Sequence, residues 1–120
     1  MPHISLEYTE NIQTIIKSDI FDKLITIIIQ AAEVKYENCK SRAVKIKDYY
    51  IGSKNNNEGF VHLKIKILEG RTEKIKNQIA QESLKVLKSY FQNTKVHNIQ
   101  YSIEIQEMKK GNYFTTNREI

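Results

Sequence analysis

The sequence predicts an α/β (α+β) fold in which one β-α-β unit is written twice, making a four-stranded sheet with two helices on one face. Three observations carry this expectation: strict apolar/polar alternation at residues 2–8 and 61–67, a helix-period pattern after each, and agreement between the two halves at an offset of 59 residues, which sets His62 on His3. A β-α-β crossover is right-handed and makes its two strands parallel, with the helix packed on the sheet between them.

In chain order, Ile4, Leu6 and Tyr8 alternate with His3, Ser5 and Glu7, the period of a half-buried strand. Ile12, Ile16, Ile20, Leu24, Ile28 and Ala31 then recur at helical spacing. Two versions of this segment stand side by side. In one, the helix begins early and Ser18-Asp19 caps a main body running to about Val34. In the other, a loop reaches residue 17 and a shorter helix follows. Arg42, Val44 and Ile46 mark a second strand from about Lys40 to Tyr50, and Gly52-Ser53-Lys54-Asn55-Asn56-Asn57 reads as a turn or loop. Val61, Leu63, Ile65 and Ile67 form the third strand, and Gly70 breaks it. A helix is expected from about Thr72 to Asn93, and Ile99, Tyr101, Ile103 and Ile105 give the fourth strand. The offset of 59 residues pairs Ile20 with Ile79, Ile25 with Leu84, Ile28 with Leu87, Val44 with Ile103 and Ile46 with Ile105. The expectation is therefore one domain over 1–108, made of repeats at about 2–50 and 60–108. A C-terminal tail of weak periodicity occupies 109–120.

Composition narrows the function classes. The chain has 120 residues, 40% hydrophobic and 28% charged, which suits a single soluble domain and excludes a collagen-like or disordered chain. Its longest apolar run, Ile27 to Ile29, is too short to span a bilayer, and the start carries no signal-peptide pattern, so a cytoplasmic protein with no membrane association is expected. Cys39 is the only cysteine, which precludes an internal disulfide and a cysteine metal cluster; a buried, inert thiol is its expected state. The formal charge of +5 raises nucleic-acid binding, but the lysines are interspersed with acids and no stacking-aromatic motif accompanies them, so no nucleic-acid partner is expected. Against 16 lysines stand only Arg42, Arg71 and Arg118, positions at which a planar bidentate anion fork has a use that an ammonium does not serve.

Pro2 is the only proline and directly follows Met1. Removal of that methionine leaves a secondary amine, and an α-amino group titrates near roughly 7.7–8.0, close to what a general base needs at neutral pH. Taken alone, Met-Pro is weak evidence, because a strand-starting proline with no donor to lose is its more ordinary reading. The second half has Val61 in the place of Pro2, but it carries Ile67-Leu68-Glu69-Gly70-Arg71-Thr72, a glycine turn that sets an arginine at a helix mouth where anions are favoured. The first half has Ile12 in that place. Amine and arginine thus come from different copies of the unit.

These residues carry a family resemblance. Pro2-His3-Ile4-Ser5-Leu6-Glu7-Tyr8, Phe60-Val61-His62-Leu63-Lys64-Ile65-Lys66-Ile67 with Gly70-Arg71, and Tyr101-Ser102-Ile103-Glu104-Ile105-Gln106-Glu107-Met108 resemble the 5-carboxymethyl-2-hydroxymuconate isomerases of the tautomerase superfamily. The strand-end segment Ile67-Leu68-Glu69-Gly70-Arg71 is also similar to that of 4-oxalocrotonate tautomerase, a small relative corresponding to one half. The resemblance covers about residues 2–108 and implies a duplicated β-α-β chain assembled as a homotrimer. It further implies Pro2 as catalytic base, Arg71 as its partner in the site, arginines that hold substrate carboxylates, and no cofactor or metal.

One departure matters. The family pattern has Arg-x-Arg at the start of the second strand, where this chain has Lys40-Ser41-Arg42. Lys40 supplies a point charge without the bidentate fork, which alters carboxylate affinity or substrate choice. The expected site is Pro2 and Arg71 for catalysis with Lys40 and Arg42 for binding a small carboxylate substrate. The expected activity is a keto-enol tautomerase or double-bond isomerase. The alternative is a non-catalytic protein of the same fold that binds a small acid or a protein partner. His3 and His62 occupy equivalent strand positions and are expected to serve architecture; Tyr49, Tyr50 and Tyr113 are expected to pack or to meet other subunits.

Overall fold

Alternation, helical period and glycine breaks become six main elements: β1 (His3–Thr9), α1 (Ser18–Ala32), β2 (Lys40–Ile46), β3 (Glu58–Leu68), α2 (Glu73–Tyr90) and β4 (Asn98–Met108). The computed structural model describes residues 2–52 and 57–116. The expected loop positions 53–56, Met1 and Arg118 lie outside the described residues. Short 3-10 turns occupy Glu10–Ile12, Tyr36–Asn38 and Lys110–Asn112. The sheet order is β2-β1-β3-β4. β1 runs parallel to β2, and β3 parallel to β4, while the two units meet through the antiparallel pair β1–β3, with Leu6 opposite Leu63.

The strand alternation sorts the sheet's two faces. Ile4, Leu6, Tyr8, Val61, Leu63, Ile65 and Ile67 are buried, and they meet Ile20, Leu24, Ile25 and Ile28 of α1 with Ile79 and Leu87 of α2. The other face of the central strands carries His3, Ser5, Glu7, His62, Lys64 and Lys66, all half-buried. The helices keep the 59-residue correspondence: Ile20 and Ile79 are buried, as are Ile28 and Leu87.

The second strands do not keep that correspondence. Val44 is the register partner of Glu7 and so lies on the open face, where it is 48% exposed. Ile103 is opposite Leu63 and packs against the core. Ile46 and Ile105 are separated in the same way, with Ile46 opposite Thr9 and Ile105 opposite Ile65. Ser41 and Ala43, not Val44 and Ile46, share the helix side with Ile4 and Leu6. An alternating apolar pattern shows which residues share a face, but a strand at an edge can show either face to the core.

β2 ends at Ile46 rather than near Tyr50 because its ladder partner ends: Thr9 is the last residue of β1 and lies opposite Ile46. The open question before α1 is decided for a loop to residue 17. Gln13 adopts a left-handed φ of 55° after the 3-10 turn. Residues from the second half then capture the loop backbone. Tyr90 Oη donates to the Ile15 carbonyl at 3.0 Å and accepts from the Lys17 N–H at 3.0 Å, and Thr94 Oγ1 donates to the Ile12 carbonyl at 3.2 Å. Ser18 is the first helical residue and not a cap; the cap position is Lys17, with no side-chain bond. α1 closes at Ala32, two residues before Val34, where Glu33 turns left-handed at φ 55° and its N–H reaches the Ile29 carbonyl. α2 begins as expected behind Thr72, whose hydroxyl oxygen accepts from the Ile75 N–H, but it ends at Tyr90 instead of Asn93.

Candidate functional site

The topology collects four chain segments at one end of the sheet. β1 and β3 are antiparallel, so the start of β1 lies beside the end of β3. Each helix returns antiparallel to its strands, which brings the C-terminal turn of α1 and the start of β2 to the same end. Pro2, Lys40 and Arg71, distant in sequence, therefore share that end. Pro2 is buried, and its carbonyl accepts the Lys40 N–H at 3.1 Å, extending the β1–β2 ladder to the first residues of the chain. The Lys40 side chain is exposed, with Nζ 3.4 Å from the Asn38 carbonyl.

Gly70 makes the turn that delivers Arg71. Its φ of +117° lies where a Cβ is strained, so glycine is required there for conformational reasons. Arg71 Nη2 donates to the carbonyl of Ala32 at 3.1 Å and Nη1 to that of Leu68 at 3.4 Å. The last turn of α1 has no basic residue of its own, so Arg71 supplies the cation that the negative end of the helix dipole favours. A guanidinium has five N–H donors, and these two bonds leave others for an anion. Arg71 lines an open cleft of about 380 Å³ together with Ala32, Glu33, Glu69, Gly70 and Lys110. Pro2 is not part of the cleft lining.

Arg42 is placed differently. It lies opposite Ser5 on the open face, where Nη1 donates to Ser5 Oγ at 3.2 Å and Nη2 lies 2.9 Å from His3 Nδ1. Pro2, Lys40 and Arg71 are thus gathered at the sheet end, while Arg42 approaches the same strand start from the uncovered face. A larger cleft of about 520 Å³, lined among others by Leu84, Phe91, Val96 and Tyr101, lies at the opposite end and contains none of these residues.

Two contributors escaped the sequence reading. His3 is bound on both ring nitrogens, by Arg42 on one side and by Tyr113 Oη at 2.9 Å on the other. Burial first, then the charges of Arg42 and Lys40, hold its imidazole below the ordinary value. Tyr113 comes from the tail, which docks here: the Glu69 carboxylate accepts the Lys110 N–H at 2.8 Å, and the Glu69 N–H donates to the Met108 carbonyl at 2.9 Å. The tail's weak periodicity gave no sign of this, because a docked strap needs only a few anchoring residues. His62 meets Ser102 Oγ at 2.7 Å and Glu104 at 3.3 Å on the open face. Tyr49 stacks edge-on to Phe60, whereas Tyr50 is 92% exposed. Cys39 is half-buried instead of buried, with Sγ 3.6 Å from the Lys35 carbonyl, and burial raises its thiol pKa. Among the described residues, no helix is long and apolar enough to cross a membrane.

Comparison with known proteins fits this geometry. A family model described as 5-carboxymethyl-2-hydroxymuconate isomerase matches residues 2–118. A 5-carboxymethyl-2-hydroxymuconate isomerase from Deinococcus radiodurans R1 is similar in structure, with a TM-score of 0.84, 25% identity, and coverage of 98% of this chain and 90% of that one. A 5-carboxymethyl-2-hydroxymuconate delta-isomerase aligns at a TM-score of 0.74 and 16% identity over 99% of this chain and 89% of that one. A fused 4-OT described as a symmetric trimer shares the fold at a TM-score of 0.74 and 8% identity, over 96% of this chain and 92% of that one. No curated protein sequence matches the chain significantly. The match across nearly the whole length means that the chain belongs to the 5-carboxymethyl-2-hydroxymuconate isomerase family, a family of isomerases in the tautomerase superfamily.

Proposed function

We propose that this protein is a cofactor-independent tautomerase that converts an unsaturated 2-hydroxy di- or tricarboxylate, such as 5-carboxymethyl-2-hydroxymuconate, to its 2-oxo isomer, with Pro2 as base. The observation that carries the proposal is that the antiparallel β1–β3 pair brings Pro2, with Lys40 bonded to its carbonyl, to the end of the sheet where the Gly70 turn delivers Arg71 from the second repeat.

The base acts once Met1 is removed, because a proline nitrogen inside a peptide bond has no basicity. Neutral Pro2 takes a proton from the 2-hydroxy group or an adjacent carbon of the substrate. The resulting prolinium returns it farther along the conjugated system, so no proton is gained or lost overall. Arg71 holds a carboxylate and stabilises charge on the dienolate, and Lys40 or Arg42 from the same or a neighbouring subunit binds the remaining carboxylates. Positive charge at this end also favours the neutral form of the amine.

A homotrimer completes the proposal. β2 and β4 are the edge strands, and among the described residues no helix or strand covers the sheet face opposite α1 and α2. Other subunits of the same chain supply that cover, in a cytoplasmic enzyme that binds neither nucleic acid nor membrane.

The test is a Pro2→Ala variant, with Met1 removal verified by intact mass, assayed for ketonisation of 2-hydroxymuconate. The expected result is a fall in kcat of about 10²-fold or more. Full activity in that variant overturns the proline mechanism.

A further inference from the structure

We propose that His3 is a positioning residue for Arg42, and that Tyr113 of the C-terminal strap holds His3 in the tautomer this requires. The proposal rests on the reading of Arg42 as a carboxylate ligand and adds to it the device that aims the guanidinium.

Donors and acceptors around the ring fix its tautomer. An arginine offers only N–H donors, so the contact of 2.9 Å between Arg42 Nη2 and His3 Nδ1 requires Nδ1 to accept. In the neutral ring the proton is then on Nε2, which donates to Tyr113 Oη at 2.9 Å. The two rings also pack edge-on, with centroids 5.8 Å apart. Ser5 Oγ accepts from Nη1 at 3.2 Å, so the guanidinium is held at two points beside the strand that starts with Pro2. Free rotation of a long, exposed side chain is thereby removed before substrate arrives, which lowers the ordering cost of binding. The strap itself is tied down by Glu69 through the Lys110 N–H, in the same turn that delivers Arg71. Tail, His3 and Arg42 consequently form one connected set.

Protonation of His3 would place two donors face to face and release Arg42. The charged groups that face the ring from the neighbouring strands oppose it: Arg42 and Lys40 from β2, and Lys66 from β3 as the register partner of His3. Tyr113 approaches from the tail, and Glu7 is the next acid along the same face of β1.

Two measurements on the processed full-length protein test the proposal. Nitrogen-15 NMR of the His3 ring should show the Nε2–H tautomer in the neutral form, and Tyr113→Phe should convert it to a mixture. An Nδ1–H tautomer in the unaltered protein overturns the proposal. In assays with 2-hydroxymuconate, His3→Phe and Arg42→Ala should each raise KM about fivefold to tenfold with kcat within about twofold. The double variant should be no worse than Arg42→Ala alone. His3→Asn, which returns an acceptor oxygen near the Nδ1 position, should restore KM to within about twofold. A merely structural role for His3 would lower the active fraction and appear in kcat. Multiplying KM effects in the double variant overturn the positioning role while leaving Arg42 a ligand. An unchanged KM in Arg42→Ala removes Arg42 from the site and the positioning role with it. Both results are independent of the Pro2→Ala outcome.

Discussion

Arg71 donates Nη2–H to the carbonyl of Ala32 at 3.1 Å, joining the strand-end turn of the second repeat to the last turn of the first repeat's helix. The residue proposed to hold substrate is thus also a fastening between the two halves. Arg71→Ala should cost about 1–2 kcal/mol of stability, read as a lower urea midpoint, because two carbonyls lose a charged donor. It should also lower kcat/KM on 2-hydroxymuconate. Arg71→Lys should recover part of the stability and little of the activity, since an ammonium cannot present the fork. An unchanged kcat/KM in Arg71→Ala excludes the residue from the site.

The family resemblance implies an arginine at the position of Lys40, whose backbone N–H holds the Pro2 carbonyl at 3.1 Å. The substitution Lys40→Arg leaves that backbone bond in place and changes only the exposed cation. It should lower KM for a dicarboxylate about three- to tenfold through bidentate pairing, with kcat little altered. A rise in KM would mean that the site is built for the ammonium.

Gly59 tests packing at the far end of β1. A Cβ there would stand 2.7 Å from Thr9 Oγ1 and 3.1 Å from Ile12 Cγ1. Thr9 cannot simply turn away, because it is fully buried and its hydroxyl accepts the Phe60 N–H at 3.2 Å. Gly59→Ala should therefore destabilise the protein by about 1–3 kcal/mol, measurable by denaturant unfolding. A neutral effect would show that the Thr9 turn is free to shift.

Stability should also depend on the His3 proton. Its folded-state pKa is lowered by burial and by neighbouring cations, against an ordinary value of about 6.5. Below that ordinary value the unfolded chain takes up a proton that the folded chain refuses. The contribution is thus present above about pH 6.5 and is lost as pH falls through the depressed folded value. Urea midpoints measured from pH 7.5 to 4.5 should fall more steeply in the parent protein than in His3→Asn. Parallel profiles would remove His3 as a source of the dependence.

Much of the fold was legible because buried strands and helices leave periodic marks. Ile4, Leu6 and Tyr8 with Val61, Leu63, Ile65 and Ile67 announced two strands, which the structure sets at the centre of the sheet, and all are buried. The edges were less legible. β2 is exposed along most of its length, so Val44 and Ile46 suggested a core face that they do not occupy. At the site, Pro2 and Arg71 drew notice through residue type and turn chemistry. His3 did not, because a half-buried histidine in an alternating strand looks the same whether or not it holds an arginine. Tyr113 was hidden for a similar reason, since its contact spans 110 residues of sequence.

The sequence by itself determined the two β-α-β patterns, the helix faces, the glycine turn before Arg71 and the family motifs, because each is a local arrangement or a short repeat. Only the tertiary structure decided where α1 begins, which way β2 faces and what becomes of the tail. Those outcomes depend on partners far along the chain: Tyr90 capturing the backbone at Ile15 and Lys17, Thr9 ending the ladder opposite Ile46, and Tyr113 reaching His3. Free energy from such distant pairs does not appear in any local window of sequence, and it overrides local periodicity wherever that periodicity is ambiguous.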